Sequence, residues 1–407
     1  MDVIIIGGGI AGLSCARSLS AAGKSFVIVE ASDRVGGRIA TDEIDGFKLD
    51  RGFQVFLTAY PECRQVLDYD ALRLKTFEPG ALVVRDGKLH RFSDPWRRPQ
   101  HLLATAFSPV GTIGDKLRIA RLRSYVRSGS LDQLFQRPEI RTMEALERAG
   151  FSKTIIERFF RPFLGGIFLE KELATSTRMF EFVFRMFSEG EAAIPEAGMQ
   201  AIPRQVAASL PSESLRLNTK VVQIENQNVV LDTGETLTAP AIVLAVANPE
   251  AELLVHSERK PACGVTCIYF AAERSPINEA TLVLNGEGRG PINNLCVPSD
   301  LCPDFAPAGK ALISVSVLGA GHDEQLLDDV RAQLAEWFGP DAHQYRHLKT
   351  YDIPYALPSQ TTLDPVKKPV VLRPGLVRCG DEFDTASING AMVAGRRAAE
   401  AILGGNA

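Results

Sequence analysis

The apolar residues at the start of the chain follow the pattern of a strand, a helix and a second strand. Val3–Ile6 are four consecutive β-branched residues, typical of a buried parallel strand, and a glycine turn follows them. Small or apolar residues then recur at helical spacing: Gly12, Ala16, Leu19 and Ala22. Gly23 follows them and is placed to end a helix. Residues 25–29 are again strand-like and end at Glu30. The pattern therefore predicts one βαβ unit.

The remaining chain divides into segments of different pattern. Residues 221–224, 229–231 and 242–246 look like strands that return to the first unit, and residues 76–195 favour helices. Between 249 and 363 the pattern alternates as in β-strands (264–270, 281–284 and 311–317), followed by a helix over 323–338. The last segment predicts a strand, an acidic turn and a helix through Ala394, Arg397, Ala398 and Ile402. A length of 407 residues suits two packed cores.

Composition narrows the classes of partner and compartment. Acidic and basic residues are mixed and the net charge is -4, so we expect small molecules and no nucleic acid as partners. The seven cysteines lack paired CxxC spacing, which favours a reduced, cytoplasmic compartment and no metal site. We expect neither a signal peptide nor a membrane-spanning helix.

The glycines after the first strand carry the first chemical signal. Gly7, Gly9 and Gly12, with Ile10 and Ala11 between them, form a GxGxxG motif that lets a pyrophosphate approach the start of a helix. Glu30, followed by Ala31, stands where an acid accepts hydrogen bonds from an adenosine ribose, and its charge disfavours NADP. The strand, helix, second strand and acid occur together, which indicates a dinucleotide site.

Two further motifs bear on which dinucleotide the chain binds. Residues 30–38 place Arg34 and Arg38 around Gly36-Gly37, which offers cations and backbone N–H groups to a pyrophosphate or a flavin edge. Near the C-terminus a strand leads into Gly380-Asp381, and a helix follows. With these motifs the chain resembles the flavin amine oxidase superfamily, which includes monoamine and polyamine oxidases, protoporphyrinogen oxidases and phytoene-type desaturases.

The resemblance implies the fold and the cofactor. It implies an α/β protein, with a Rossmann-type, glutathione reductase-like FAD-binding domain (1–75, 196–248 and 364–407) and an inserted α+β substrate domain (76–195 and 249–363). FAD is the implied cofactor, with Asp381 on its ribityl chain, Val221 at the adenine and the last helix directed at the flavin. Matching by position assigns FAD contacts to Gly7, Gly9, Ile10, Ala11, Gly12, Glu30, Ala31, Arg34, Gly36, Gly37, Arg38, Gly52, Phe53, Val221, Gly380, Asp381, Ser387, Ile388 and Ala391.

The reaction implied is oxidation of an organic substrate, with electrons passed to oxygen or a quinone because no second dinucleotide motif is evident. The amine-oxidising relatives use a lysine near the flavin and an aromatic cage, whereas strand 264–270 has no lysine and Ser387 occupies a cage position. These departures favour an uncharged, apolar substrate, such as a carotenoid or a porphyrinogen. An amine or amino-acid oxidase and a non-catalytic flavoprotein remain the alternatives. Gln54, Tyr351 and Tyr355 are candidate substrate contacts, and no catalytic residue is assigned.

Several other patterns receive a structural interpretation. Eight phenylalanines between 159 and 187 favour plain core over a channel. Arginines at 97, 98, 118, 121, 123 and 127, with Leu102, Leu103, Phe107, Leu117, Ile119 and Leu122, favour a solvated amphipathic helix over peripheral contact with an anionic membrane. His343 and His347 are predicted to lie in extended chain, off any shared helix face, and Ser14 lacks a nucleophile elbow.

Overall fold

The N-terminal βαβ unit forms as the sequence predicts. The computed structural model describes residues 1–94, 97–98, 100, 108–256, 260–321 and 323–405. In it, strand Val3–Ile6 leads into helix Ile10–Ala21 and strand Phe26–Val29. Gly23 follows the helix with φ +70°, a left-handed conformation that favours glycine. The two strands pair in parallel with Val3 opposite Phe26.

This unit belongs to a six-stranded sheet, here called the dinucleotide sheet. Its spatial order is Leu215–Arg216, Phe26–Val29, Val3–Ile6, Ala241–Leu244, Leu376–Arg378 and Val371–Arg373. All neighbours run parallel except the last pair. The predicted Rossmann-type α/β fold is therefore confirmed.

The first and last helices pack closely together beside this sheet. Helix Ile388–Leu403 crosses helix Ile10–Ala21 at Gly395, where a Cβ atom would lie 2.1 Å from the Ala11 carbonyl oxygen. Glycine is required there because the two backbones are in contact. The two ends of the chain are thereby joined in one packed unit.

A seven-stranded sheet, here called the substrate sheet, is built from two separate segments. Its order is Arg346–Pro358, Ala262–Ala272, Ala311–Leu318, Ile292–Cys296, Leu282–Asn285, Gly80–Arg85 and Lys88–Ser93. Only Leu282–Asn285 and Gly80–Arg85 pair in parallel. The helical expectation for residues 76–195 was thus wrong for the hairpin at 80–93, whose inward side chains are buried by pairing with a strand 200 residues away. Because the two large sheets are built from different segments of the chain, we propose that the chain has the two domains predicted from its sequence.

Smaller sheets and short helices complete the chain. Three small sheets comprise Thr41–Ile44 with Phe47–Asp50; Phe56–Leu57, Ala192–Pro195 and Leu74–Thr76; and Val221–Glu225, Asn228–Leu231 and Thr236–Thr238. The further α-helices are Pro61–Val66, Tyr69–Leu72, Ile113–Arg127, Leu131–Phe135, Thr142–Arg148, Lys153–Ile155, Arg161–Phe168, Thr177–Glu189, Ala201–Ala207, Asn248–Val255, Pro298–Leu301 and Gln325–Phe338. Ile156–Phe160 is a π-helical turn, and 3-10 turns occur at Ser212–Ser214, Pro303–Phe305, Pro340–Gln344 and Asp381–Phe383.

The basic stretch lies mainly on helix Ile113–Arg127, and its arginines are mostly ion-paired. Arg98 pairs with Glu78 at 2.7 Å, and Arg123 pairs with Asp94 at 2.7 Å. Ile113 and Leu117 are 70% and 68% exposed on this helix. Leu102, Leu103 and Phe107 lie outside the described residues. Peripheral membrane contact stays a prediction, and within the described part of the chain no helix is long and apolar enough to cross a membrane.

Candidate cofactor and substrate site

A cavity of about 1680 Å³ lies between the two large sheets and the helices beside them. Residues of the first glycine loop, the arginine loop, strand Arg346–Pro358 and the start of the last helix all line it. It brings together every predicted site residue except Gly12 and Arg34: Gly7, Gly9, Ile10, Ala11, Glu30, Ala31, Gly36, Gly37, Arg38, Gly52, Phe53, Gln54, Val221, Tyr351, Tyr355, Gly380, Asp381, Ser387, Ile388 and Ala391.

The glycine loop leaves the start of the first helix open to the cavity. Gly9 is the N-cap of helix Ile10–Ala21; no side chain caps this end, and the first turn contains no acidic residue. A Cβ atom on Gly9 would meet no described atom within 4 Å, whereas one on Gly12 would lie 2.2 Å from the Gly7 carbonyl oxygen. Gly9 therefore lies beside open space, and Gly12 permits close packing of helix and strand. Its absence from the cavity wall follows from that packing.

Glu30 holds the glycine loop at the end of the second strand. Its Oε2 accepts a hydrogen bond from the Gly8 backbone N–H at 2.6 Å, and its Oε1 accepts from the Ser32 N–H at 2.9 Å. The carboxylate lines the cavity with lone pairs left for further donors. This is the position in which an acid can accept from ribose hydroxyls.

The two arginines of the arginine loop have different partners. Arg34 donates to Asp33 at 3.0 Å and to Asp42 at 2.8 Å, and it does not line the cavity. Local carboxylates thus hold the Arg34 guanidinium away from the cavity wall, and its contact with the cofactor stays a prediction. The loop itself lies against the first glycine loop, since the Gly36 N–H donates to the Gly8 carbonyl oxygen at 2.9 Å.

Arg38 connects the two ends of the chain at the cavity wall. Its Nη2 donates to Asp381 Oδ1 at 2.6 Å, and its Nη1 donates to the Ala356 carbonyl oxygen at 2.9 Å. The guanidinium also lies over the Tyr355 ring, 5.7 Å from its centroid. Burial, followed by the charges of Glu382 and Asp381, raises the pKa of the Tyr355 phenol, so this side chain stays neutral. The ion pair holds the Asp381 carboxylate in place beside the cavity.

The other predicted substrate residues line the same cavity. Gln54 Nε2 donates to the carbonyl oxygens of Arg38 at 2.9 Å and Arg51 at 3.2 Å, so its amide orientation is fixed. Tyr351 donates its hydroxyl to Asp42 Oδ2 at 2.8 Å. Gln54 and Tyr351 are therefore anchored, and their contact with substrate stays a prediction.

At the C-terminal half of the site, Ser387 is the N-cap of helix Ile388–Leu403. Its Oγ accepts from the Gly390 N–H at 3.0 Å. A Cβ atom on Gly390 would lie 1.9 Å from the Thr385 carbonyl oxygen, so the tight turn before this helix requires glycine. The helix thus begins at the cavity wall, to which Ser387, Ile388 and Ala391 contribute.

Seven phenylalanine side chains line the cavity and are here called the phenylalanine chamber: Phe53, Phe77, Phe92, Phe159, Phe163, Phe184 and Phe187. Phe159 and Phe163 stack with centroids 5.2 Å apart, and Phe163 contacts Phe187 at 5.4 Å. Phe160, Phe168, Phe180 and Phe182 are buried, as the core interpretation predicted. Four others pack against the same core and also line the cavity, which that interpretation did not favour: Phe159, Phe163, Phe184 and Phe187. Helical spacing places a ring on one face but cannot tell a packed neighbour from a cavity.

In the described part of the chain, no three His, Cys, Asp or Glu side chains lie close enough together to hold a metal ion. His343 lies in the 3-10 turn Pro340–Gln344, which corrects the extended prediction at that residue, and His347 lies in strand Arg346–Pro358. The short turn forms because Pro340 follows Gly339 directly after a helix.

Some residues that line the cavity were not predicted from the sequence. Tyr60, Asn248, Glu382 and Asn294 line the cavity although none belongs to a motif. Asn294 had one signal, because Asn293-Asn294 interrupts an otherwise apolar strand. Tyr60 stacks on Phe182 at 6.1 Å and had no local signal.

The side chains and backbone around the loops fit FAD. The uncapped start of helix Ile10–Ala21 can bind the pyrophosphate, Glu30 can accept from the adenosine ribose and Asp381 from the ribityl hydroxyls. The cavity also extends past these groups into the phenylalanine chamber, which leaves room for a second molecule.

The fold and the site define a flavoprotein of the Rossmann type. The chain belongs to the flavin containing amine oxidoreductase family, whose model matches residues 10–403. It is an FAD-dependent oxidoreductase, as the sequence predicted.

The relatives span several activities. A chloroplastic protoporphyrinogen oxidase of Nicotiana tabacum is 24% identical over 83% of this chain and 70% of its own length. A putrescine oxidase of Kocuria rosea is 35% identical over 23% of this chain and 20% of its own length. Among solved structures, an oxidoreductase from Methanosarcina mazei gives a TM-score of 0.75 at 18% identity, covering 98% of this chain and 100% of that one. A putrescine oxidase variant gives 0.73 at 18% identity, with 99% of both chains covered.

A buried carboxylate beneath the site predicts a pH-dependent stability. Burial raises the pKa of Asp50 to about 6, and hydrogen bonds from Thr41 and Met199 offset only part of that effect. The folded chain therefore holds a proton that the unfolded chain releases near pH 4, so stability falls as pH rises from about 4 to about 6. Relative to Asp50→Asn, the wild-type protein should lose about 3 kcal/mol of unfolding free energy across this range.

Urea unfolding at several pH values, with FAD in excess, measures this difference. Asp42→Asn is the matched control. Burial alone would raise the pKa of Asp42, but hydrogen bonds from Arg51, Tyr351 and Arg34 hold it at about 2. Its contribution is present above pH 4 and is lost as pH falls toward 2, which is the opposite sign. A pH-independent difference between wild type and Asp50→Asn would contradict the prediction.

Proposed function

We propose that this oxidoreductase dehydrogenates an uncharged, predominantly apolar substrate that binds in the phenylalanine chamber. The supporting observation is the chamber wall itself, to which seven phenylalanine side chains contribute. Rings of this size gain most by contact with another apolar surface. A polycyclic or polyene substrate offers such a surface.

The charges beside the chamber argue against a cationic amine. Glu78 and Asp94 line the cavity, but each carboxylate is held by an arginine, Arg98 and Arg123 respectively. An ammonium group entering the chamber would have to displace those arginines or lose its hydration without a counter-ion. The amine alternative is therefore disfavoured by electrostatics.

The reaction proposed is removal of a hydride from one substrate carbon and a proton from the neighbouring atom, which leaves a double bond. When bound, FAD supplies the acceptor for the two electrons of that hydride. The chamber excludes water and orients the substrate, while Arg38 and Asp381 hold the cofactor side of the cavity. The two electrons and the two protons that the substrate has lost then convert oxygen to hydrogen peroxide or a quinone to a quinol, and solvent carries the proton released from the neighbouring atom.

Anaerobic bleaching of the bound flavin tests this proposal. We expect a carotenoid or an uncharged porphyrinogen ester to reduce the flavin, and putrescine or benzylamine to leave it oxidised. Bleaching by the amines alone would overturn the proposal in favour of amine oxidation. Bleaching by dithionite but by none of the organic compounds would indicate a non-catalytic flavoprotein.

Two variants on one helix distinguish the loss of a ring that lines the chamber from the loss of a ring in the core. Phe163 lines the chamber and Phe168 is buried, and both lie on helix Arg161–Phe168. Phe163→Leu should slow bleaching by an active substrate, whereas Phe168→Leu should lower the unfolding midpoint and leave the bleaching rate unchanged. Equal bleaching by both variants would argue that substrate binds elsewhere.

A further inference from the structure

A single amide side chain faces the cavity from the substrate sheet. Asn294 is 3% exposed and lies on strand Ile292–Cys296, which is otherwise apolar apart from Asn293. Between Ile292 and Asn294 the pairing with strand Ala311–Leu318 shifts by one residue, because Asn293 is an extra residue in the ladder. Such a bulge changes the direction of the side chains that follow it. Asn294 thereby lines the cavity wall.

A neighbouring side chain engages the oxygen end of this amide. Asn293 Nδ2 donates to Asn294 Oδ1 at 2.8 Å and to the Pro162 carbonyl oxygen at 2.9 Å. The Asn294 oxygen is therefore engaged, and its Nδ2 points away from Asn293. Among the hydrogen bonds of the residues that the structure describes, none has Asn294 Nδ2 as its donor. This amide donor is therefore available to an acceptor that enters the cavity from outside the chain.

The donor borders the phenylalanine chamber. Asn294 packs against Gly166, where a Cβ atom would lie 2.7 Å from Asn294 Oδ1. Gly166 is on helix Arg161–Phe168, which also carries Phe163 and Ile167 to the cavity wall. The close approach of helix and strand therefore places the Asn294 amide group beside an apolar surface.

We infer that Asn294 selects the substrate by donating a hydrogen bond from Nδ2 to an oxygen acceptor on an otherwise apolar molecule. This inference rests on the proposed function and narrows its substrate class to oxygenated apolar compounds, such as ketones, alcohols or ethers. A pure hydrocarbon would leave the amide unpaired, and an ammonium group has no lone pair to accept. Specificity of this kind is strong because the wrong ligand leaves a buried polar group without a partner.

A matched pair of probes tests the inference without turnover. 2-Acetylnaphthalene and 2-ethylnaphthalene have nearly the same shape and differ in one carbonyl oxygen. Their affinities for the FAD-loaded protein are measured from the perturbation of the flavin absorbance spectrum. We expect the wild-type protein to bind the ketone about tenfold more tightly than the hydrocarbon, as one added hydrogen bond predicts.

Three variants show whether Asn294 causes the preference. Asn294→Leu and the isosteric Asn294→Asp both lack the donor, and each should abolish the preference for the ketone. Gly166→Ala should reduce it, because the new methyl group displaces the Asn294 amide. Phe168→Leu is the control for lowered stability and should keep the wild-type preference.

Two results would overturn the inference. One is equal affinity of the wild-type protein for the two probes, including no measurable binding of either. The other is a tenfold preference that survives in both Asn294→Leu and Asn294→Asp. Bleaching of the flavin by amines alone would instead refute the proposed function, and the binding preference reads out separately from that result.

Discussion

Gly12→Ala is expected to yield a protein that neither retains FAD nor reaches wild-type stability. The added Cβ atom would lie 2.2 Å from the Gly7 carbonyl oxygen and 3.2 Å from the Ala245 Cβ atom. The first contact is with backbone, so relief requires the first helix to move away from the dinucleotide sheet. Overpacking of this kind costs about 3 kcal/mol, and the same movement displaces the start of the helix from the pyrophosphate.

Gly9→Ala is the matched control within the same motif. Its Cβ atom would meet no described atom within 4 Å, and Gly9 has φ -71°, which alanine adopts without strain. This variant should keep its unfolding midpoint without added FAD but bind FAD more weakly, because its methyl group points into the cavity. Urea unfolding followed by circular dichroism, and flavin absorbance after gel filtration, measure the two properties. Unfolding of Gly12→Ala at the wild-type urea concentration would contradict this prediction.

Asp381→Ala is expected to lower FAD affinity by at least about 100-fold, so that the purified protein is colourless. The side chain lines the cavity at the end of the dinucleotide sheet and holds Arg38 at 2.6 Å. Its removal takes away the carboxylate predicted to accept from the ribityl chain. It also leaves the half-buried guanidinium of Arg38 without its counter-ion, and loss of such a charged hydrogen bond costs about 1.5–3 kcal/mol.

Asp384→Ala provides the control for this second prediction. Asp384 is buried three residues away, binds the Thr385 N–H at 2.8 Å and does not line the cavity. Its replacement should lower the unfolding midpoint while the protein remains yellow. Titration of FAD into each protein, followed by fluorescence quenching, gives the affinities. Undiminished FAD affinity in Asp381→Ala would refute the assigned ribityl contact.

Much of the dinucleotide half of the molecule could be predicted because its signals are local. A GxGxxG turn between a buried strand and a helix allows few backbone conformations, and Glu30 follows at the spacing that the second strand imposes. The prediction was less accurate for side chains that choose between partners. Arg34 and Arg38 are alike in sequence context, yet Arg34 pairs with Asp42 and Arg38 with Asp381.

The substrate half depended on long-range contacts. The hairpin Gly80–Ser93 looked like part of a helical segment because its partner strand, Leu282–Asn285, lies 200 residues farther along. Phe159 and Phe160 are adjacent in sequence, but only Phe159 lines the cavity, since the π-helical turn Ile156–Phe160 and the packing of Phe160 against Phe151 set their directions. Local pattern carries no information about such choices.

The sequence by itself determined the fold class and the backbone of the dinucleotide loops, because glycine conformations and strand-to-helix spacing depend on near neighbours in the chain. The cofactor followed from the family resemblance that the motifs at both ends of the chain carry. Only the tertiary structure decided which rings line the phenylalanine chamber, which carboxylates the arginines bind and where the Asn294 amide points. Each of those outcomes depends on groups brought together from distant parts of the chain. The identity of the substrate depends on those groups, whereas the identity of the cofactor depends on the sequence motifs at the two ends of the chain.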